Sequence, residues 1–409
     1  MKVVHLSHYI KVQVKICRDM SAFREFDFYD LAQLLSEEDI IVRDTVREYV
    51  SASLMPIVAK HWEDGTFPLH IVEEMGGMGL LGPSINQRYG GAGMSGLQYG
   101  LVCQEIERAD SGLRSFSSVQ GSLVMYPIEV YGSEEQKQKY LPQLASGSLI
   151  GCFGLSEPDF GSDPGGMRTK CVLDGDEWVL NGQKMWITSG SIADIAIVWA
   201  RDEEEKIQGF IVDCKSEGFA APEQKHKWSL RCSITSELVL KDVRVPEENR
   251  LPLVKGMKAP LSCLTQARYG IAWGAVGAAQ SCFDEVVNYT NKRIIHEKPL
   301  SSFQLTQDKL AEMATQITTM QLLAWRLAKM KDEGMMKPQH VSMAKRNNVK
   351  RALEIARDCR SLLGANGITL EYQSGRHMCN LETVLTYEGT HEIHSLILGQ
   401  EITGYPAYH

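Results

Sequence analysis

The hydrophobic pattern changes period twice along the chain. From residue 36 to about 150 the apolar positions recur at helical spacing. In "SEEDIIVRDTVREYVSASLMPIV" the Ser36 hydroxyl and a cluster of acids precede Ile40, Ile41, Val46, Val50 and Leu54. This predicts a helix capped at Ser36 with those five side chains on one face. "SEEQKQKYLPQLASG" repeats the opening at Ser133, so a second helix is expected there. Between 151 and about 250 the period shortens. "EWVLNGQKMWIT" reads as two short strands joined by a type I′ turn at Asn181-Gly182. "ADIAIVWARDEEEKIQGFIVDC" reads as a second pair around a charged loop, and "SELVLKDVRVP" as a further strand. From about 259 long helices return. "TQDKLAEMATQITTMQLLAWRLAKM" sets Leu310, Met313, Ile317, Met320, Ala324 and Leu327 on a core-facing stripe. "LLGANGI" places Gly364 and Gly367 to end a helix. The expectation is a multidomain α+β chain: an N-terminal α-helical domain over 23–150, an antiparallel β domain over 151–258 and a C-terminal α-helical domain over 259–409.

Composition narrows the function classes. At 409 residues the chain exceeds what one core usually supports. A formal net charge of -8 argues against nucleic acid as the main partner, because phosphate binding needs a basic face. No apolar stretch approaches the length of a membrane span. The 10 cysteines form neither a CxxC pair nor a Cys/His cluster, which suggests free, mostly buried thiols and no metal site. The first eighteen residues carry Lys2, Lys11, Lys15 and Arg18 and no acid, so a mitochondrial targeting segment, or else a tail without that role, is expected at 1–22, outside the fold.

Three constellations carry candidate chemistry. "GCFGLSEPDFGSDPGG" (151–166) holds five glycines and the hydroxyls of Ser156 and Ser162. Exposed N–H groups and hydroxyls suit a phosphate or an acceptor-rich heterocycle, though such a loop can also be purely structural. There is no GxGxxG and no P-loop. "MWITSG" (185–190) sets Trp186 and Thr188 where an indole and a hydroxyl could meet a planar cofactor; the alternative is a core tryptophan on a strand. "LTYEGTHEIH" (385–394) puts Glu388 between Tyr387 and Gly389. A buried carboxylate beside a glycine can be approached closely and act as a base; a lone glutamate can equally be a solvated acid.

Taken together and in this order, these strings resemble the acyl-CoA dehydrogenase family from about residue 25 to the C-terminus. "SVQGSLVMYPI" (118–128), "YGSEEQKQKYLPQL" (131–144), "ARYGIAWG" (267–274), "KRNNVKRALEIAR" (345–357) and "TYEGTHEIHSLILGQEITG" (386–404) are similar to the branch of that family acting on glutaryl-CoA. The resemblance implies two α-helical domains flanking a β-barrel, FAD held noncovalently, and a homotetramer. It assigns Glu388 as the base that removes the substrate α-proton, with Arg268 in the substrate site. Position 267, which holds the base in some members, is Ala267 here. It implies cofactor contacts at Ser156, Ser162, Trp186, Thr188, Arg293, Gln304, Gly364, Gly367, Thr390 and Glu392. Arg114, in "DSGLRSFSSVQ", matches the arginine that binds a distal substrate carboxylate, with help from Ser115 and Tyr387.

The implied reaction is oxidation of glutaryl-CoA and loss of CO2 to give crotonyl-CoA in lysine and tryptophan degradation, with electron-transfer flavoprotein as acceptor in the mitochondrial matrix. The alternatives are another short-chain or non-decarboxylated acyl-CoA, or a flavin-poor relative kept for binding or assembly. Three positions depart from the family pattern. His296 and Glu297 stand where Phe-Gly is common, and Ala365 replaces a frequent glycine; all three bear on FAD binding.

Overall fold

A computed structural model describes residues 26–407; the expected targeting segment at 1–22 lies outside them. The helix predicted at Ser36 is α1 (Glu37–Tyr49). The Ser36 hydroxyl accepts from the Asp39 N–H at 3.2 Å, and Asp39 accepts from the Ser36 N–H at 3.0 Å, a reciprocal cap worth about 1 kcal/mol. A π-helical turn, Val50–Leu54, leads into α2 (Met55–Asp64). Val46, Val50 and Leu54 are buried as predicted, but Ile41 is 55% exposed. At 100° per residue it falls one step outside the seam that the other side chains share. There follow α3 (Ile71–Gly77), α4 (Gly96–Ala109), α5 (Ser111–Ser118), α6 (Tyr126–Tyr131) and α7 (Glu134–Ser146), the last capped by Ser133 as expected.

The middle segment is one seven-stranded sheet: β1 (Gly151–Gly154), β2 (Lys170–Asp174), β3 (Glu177–Thr188), β4 (Ile195–Arg201), β5 (Ile207–Asp213), β6 (Phe219–Ala220) and β7 (Thr235–Pro246). Its order is β1-β4-β2-β3-β7-β6, with β5 also on β4. Two expectations are corrected. The sheet is mixed rather than antiparallel, because β4 pairs parallel with both β1 and β2. Asn181-Gly182 is not a turn either: β3 runs straight through it, with a bulge, and the hairpin reverses at Gly175-Asp176. Tertiary contacts override the local signal. A Cβ on Gly182 would lie 2.5 Å from the Thr169 hydroxyl. The Asn181 side chain meanwhile donates to Asp242 Oδ1 at 2.9 Å and accepts from the Asp242 N–H at 2.9 Å, stitching the bulge to β7.

The C-terminal part comprises α8 (Lys258–Lys292), a small hairpin of β8 (Ile294–Ile295) and β9 (Lys298–Pro299), α9 (Gln304–Asp332), α10 (Pro338–Leu362), α11 (Ser374–Thr386) and α12 (His391–Thr403). The predicted stripe on α9 is buried from Met313 to Leu327, with Leu310 packed at its margin. Gly364 ends α10 in the left-handed region at φ +63°, as expected. Gly367 serves close approach instead, since a Cβ there would collide with the Arg360 carbonyl.

The hydrophobic cores cross the segment boundaries. Leu97, Tyr99 and Leu101 of α4 share one core with Tyr269 and Val276 of α8, Met320 of α9 and Val349 of α10. Phe153 and Ile197 of the sheet share another with Leu141 of α7 and Cys263 of α8. Contact between α4 and α8 is tight enough that a Cβ on Gly274 would collide with Glu107, and one on Gly277 with the Gln104 carbonyl. That approach sets Glu107 against α8, beside the site described next. Among the described residues no helix is long and apolar enough to cross a membrane.

Candidate active site

Glu388 lies in the short turn between α11 and α12, whose first turn is capped by the Thr390 hydroxyl accepting from the Ile393 N–H at 3.2 Å. Its φ is +52°, and that of Gly389 is +91°. For a glutamate this left-handed geometry costs on the order of 1 kcal/mol and persists only where neighbours over-determine it. Here three successive carbonyls are held by cationic side chains. Lys345 of α10 donates to the Tyr387 carbonyl and, at 2.5 Å, to that of Gly389. Arg268 of α8 donates to the Glu388 carbonyl at 2.7 Å. A Cβ on Gly389 would lie 3.0 Å from both Arg268 Nη2 and His394 Nε2, so that position needs glycine for space as well as for φ.

The carboxyl end of Glu388 is buried although the residue as a whole is half-buried: Oε2 has almost no accessible surface and no hydrogen-bond partner among the described residues. Burial raises its pKa above the carboxylate range, against the pull of Arg114, Lys345 and Arg268. Burial also pulls Lys345 down to about 7 and raises Tyr387. His394 is pushed down to about 2 by burial and by the charges of Lys345 and Arg268, so it is neutral.

Arg114 comes from α5. Asp110 caps that helix by accepting from the Gly112 N–H at 2.7 Å. It also binds Arg376 at 2.6 Å and Asn380 at 2.7 Å on α11, which couples the helix carrying Arg114 to the helix that delivers Glu388. Arg114 is fully buried. Its Nε donates to Glu107 Oε2 at 2.5 Å and its Nη2 to the Tyr387 hydroxyl, while Nη1 has no partner among the described residues. Burial opposes the charge on Arg114 more than any one neighbour favours it, but Glu107, with Tyr387 beside it, holds the guanidinium well above its ordinary value. Ser115 is buried next to it on the same helix. Sequence reasoning missed Glu107 and Lys345. The usable sign for Glu107 was remote, a glycine at 274 on another helix.

The other two constellations meet each other. The Met185 N–H donates to the Ser156 carbonyl at 2.9 Å, joining the glycine-rich loop to the end of β3. Buried Glu157, also missed from sequence, organises that loop. It accepts from the N–H groups of Arg168 and Thr169, from the Thr169 hydroxyl, and from Lys184 at 2.8 Å. Burial pulls Lys184 down to about 8, against the Glu157 charge. Trp186 sits at a bulge with φ +64° and is 66% exposed, so it is not a core tryptophan. Thr188 is half-buried and Ser162 exposed. An exposed indole, three hydroxyls and a loop acid neutralised by a buried lysine fit a planar ring carrying a pyrophosphate. The segment 226–235 bridges this surface to the base turn. Thr235 pairs with Thr188 and accepts from Lys227 at 2.7 Å, while the Ser229 hydroxyl meets Thr383, one turn before Tyr387, at 2.6 Å.

Models of the N-terminal, middle and C-terminal domains of acyl-CoA dehydrogenase match residues 36–148, 152–243 and 254–403. The chain belongs to the acyl-CoA dehydrogenase family. It is 36% identical over 369 residues to the mitochondrial short-chain specific acyl-CoA dehydrogenase of Homo sapiens, covering 89% of this chain and 90% of that one. It is similar to a crystal structure of a glutaryl-CoA dehydrogenase from Mycobacterium smegmatis in complex with FADH2, at 50% identity and a TM-score of 0.92, covering 93% of this chain and 98% of that one. A glutaryl-CoA dehydrogenase in complex with glutaryl-CoA is 32% identical with a TM-score of 0.87, covering 93% and 97%. Family members use FAD, and acyl-CoA dehydrogenation with FAD is the activity of this chain.

Not every residue expected at the cofactor of an acyl-CoA dehydrogenase gathers near Glu388. Glu392 is exposed on the first turn of α12. Arg293, Gln304, Gly364 and Gly367 lie around the C-terminal end of α8, where Asn366 donates to the Tyr289 hydroxyl at 3.2 Å and the Arg293 N–H to the Tyr289 carbonyl at 2.8 Å. Arg268 lies about a third of the way along this helix and Arg293 caps its C-terminal end, roughly 37 Å away at 1.5 Å per residue. His296 and Glu297 form the exposed two-residue turn between β8 and β9, with φ of +48° and +63°. Both occupy the left-handed positions that such a turn requires and that glycine would fill more cheaply.

Proposed function

We propose that this acyl-CoA dehydrogenase oxidises and decarboxylates glutaryl-CoA, giving crotonyl-CoA and CO2. The observation that carries the reading is Arg114, a fully buried guanidinium with Nη1 unpartnered. Leaving such a donor unsatisfied is costly, and a substrate carboxylate matches it. Charge points the same way. Arg114, Arg268 and Lys345 face the carboxylates of Glu107 and Glu388, and the anionic end of a glutaryl chain balances the remaining positive charge.

Glu388 removes the α-proton of the thioester, which its raised pKa suits near neutral pH. Its own backbone N–H, which meets no acceptor among the described residues, stabilises the enolate oxygen. Bound FAD supplies the acceptor for the β-hydride, and Ser156, Ser162, Trp186, Thr188 and Thr390 hold and orient it. Oxidation yields glutaconyl-CoA with its carboxylate on the γ-carbon. Arg114 and Ser115 hold that carboxylate until the C–C bond breaks and CO2 leaves a dienolate. Glu388, still carrying the α-proton, returns it to the γ-carbon.

Electron-transfer flavoprotein is the acceptor and the mitochondrial matrix the location in this reading. The remote placement of Arg293, Gln304, Gly364 and Gly367 supports a homotetramer in which they serve the FAD of another copy. A second reading, a dehydrogenase of monocarboxylic short-chain acyl-CoA, is favoured by the short-chain specific relatives. Product analysis after incubating the FAD-loaded protein with glutaryl-CoA and a dye acceptor separates them. Crotonyl-CoA with CO2 is expected. Accumulated glutaconyl-CoA would restrict the reaction to oxidation, and turnover of butyryl-CoA alone would favour the second reading.

A further inference from the structure

We propose that Lys345 is a positioning residue for the base: its amine clamps the two carbonyls that flank Glu388 and holds the carboxyl end on the substrate side of the turn. The inference rests on the reading of Glu388 as the base.

The geometry is specific. Lys345 is buried on α10 and makes no ion pair among the described residues; its nitrogen is spent on the carbonyls of Tyr387 and Gly389. Burying a lysine without a hydrogen-bonded carboxylate is expensive, so a merely structural site would favour an apolar side chain. Residue 388 sits between the two clamped carbonyls at φ +52°, a conformation that costs a glutamate on the order of 1 kcal/mol and that the clamp holds in place. Relaxing it would swing the carboxylate away from the α-carbon.

Two carbonyls also match the chemistry of an amine in either protonation state. A neutral amine has two N–H groups and an ammonium three, so the clamp survives titration while the charge does not. The groups facing Lys345 are Glu388 and Tyr387 in the turn, Arg268 on α8, Arg114 on α5, and His391 and His394 on α12. Glu388 is the acid among them, and the Lys345 charge lowers its pKa. Position and charge are therefore separable contributions of one side chain.

The test uses the FAD-loaded protein and three variants. Lys345→Met removes clamp and charge, Lys345→Gln keeps an N–H donor without charge, and Glu388→Gln controls for the base itself. Lys345→Met is expected to lower kcat by about 100-fold with KM little changed, the penalty typical of a misplaced reacting group. The acid limb of its kcat/KM profile moves to higher pH, because the base has lost a neighbouring cation. Lys345→Gln is expected to recover part of kcat but to show the same displaced limb. A kcat within twofold of wild type and an unmoved limb in both variants would overturn the proposal. If Lys345→Met does not fold with FAD, the kcat of Lys345→Gln decides alone: a value within twofold of wild type would overturn the clamp. Substantial activity in Glu388→Gln would instead overturn the base assignment.

Discussion

The two halves of the proposed active site are built in opposite ways. On the substrate side Glu388, Arg114, Glu107, Lys345 and Arg268 converge from α4, α5, α8, α10 and the turn before α12, and their charged ends are buried. On the cofactor side Trp186, Ser156 and Ser162 lie along one strand end and one loop, half-buried or exposed. A charge gains strength when water is excluded, so groups that move protons and hold a carboxylate must come from a packed interior. A planar ring needs a surface to lie on, and a bulged strand end beside an exposed loop presents one. Substitutions should therefore affect the two halves unequally.

Glu388→Gln gives the largest contrast. Reduction of the flavin by acyl-CoA is expected to fall by about 10⁴-fold while FAD remains bound, as stopped-flow absorbance would record. The wild-type pH profile sharpens the point. Since the base acts ionised and burial raises its pKa, kcat/KM is lost as pH falls through a value above the ordinary carboxylate range. A limb at or below that range would contradict a buried base.

The carboxylate clamp comes next. In the Glu107→Gln/Arg114→Gln double variant both charges go together and no orphaned carboxylate is left. Its kcat/KM for glutaryl-CoA is expected to drop about 1,000-fold, and that for butyryl-CoA less than about tenfold. Equal losses on the two substrates would show that Arg114 supports the pocket without reading the substrate.

The same contrast explains what could be read from sequence. Ser36 and Ser133 announced their helices because a cap is local; Glu388 stood out because tyrosine, glutamate, glycine and the capping threonine are consecutive, but those residues alone left a solvated acid open, and the family resemblance assigned it as the base. Glu107, Lys345 and the Glu157–Lys184 pair did not. Each gains its role from a partner 7 to 44 residues away, and each reads locally as an ordinary charge on an element. Asn181-Gly182 misled for the converse reason: a strong local turn signal was overruled by Thr169 and Asp242. Ile41 shows how narrow a helical seam is.

Lys184→Met tests the support beneath the cofactor surface. It leaves Glu157 buried without its cation, which is expected to cost about 3 kcal/mol and to lower the apparent Tm. The Glu157→Gln/Lys184→Met pair should recover most of that loss. If the single variant is as stable as wild type, the buried pair is not what holds the glycine-rich loop.

Trp186 should show the smallest effect, and its size discriminates between the two halves. The indole is exposed and carries no charge, so its replacement by alanine removes stacking surface and leaves the packing of the sheet unchanged. Fluorescence titration of the apoprotein should give an FAD affinity about tenfold weaker, the scale of one aromatic contact. Once FAD is saturating, kcat for glutaryl-CoA should change little, because the proton-transfer groups lie across the 226–235 bridge on other elements. A large loss of kcat at saturating FAD would mean that the indole aligns the ring against the base. The cofactor side would then share in the geometry of the reaction, and the division between an exact interior and a presenting surface would fail at this residue.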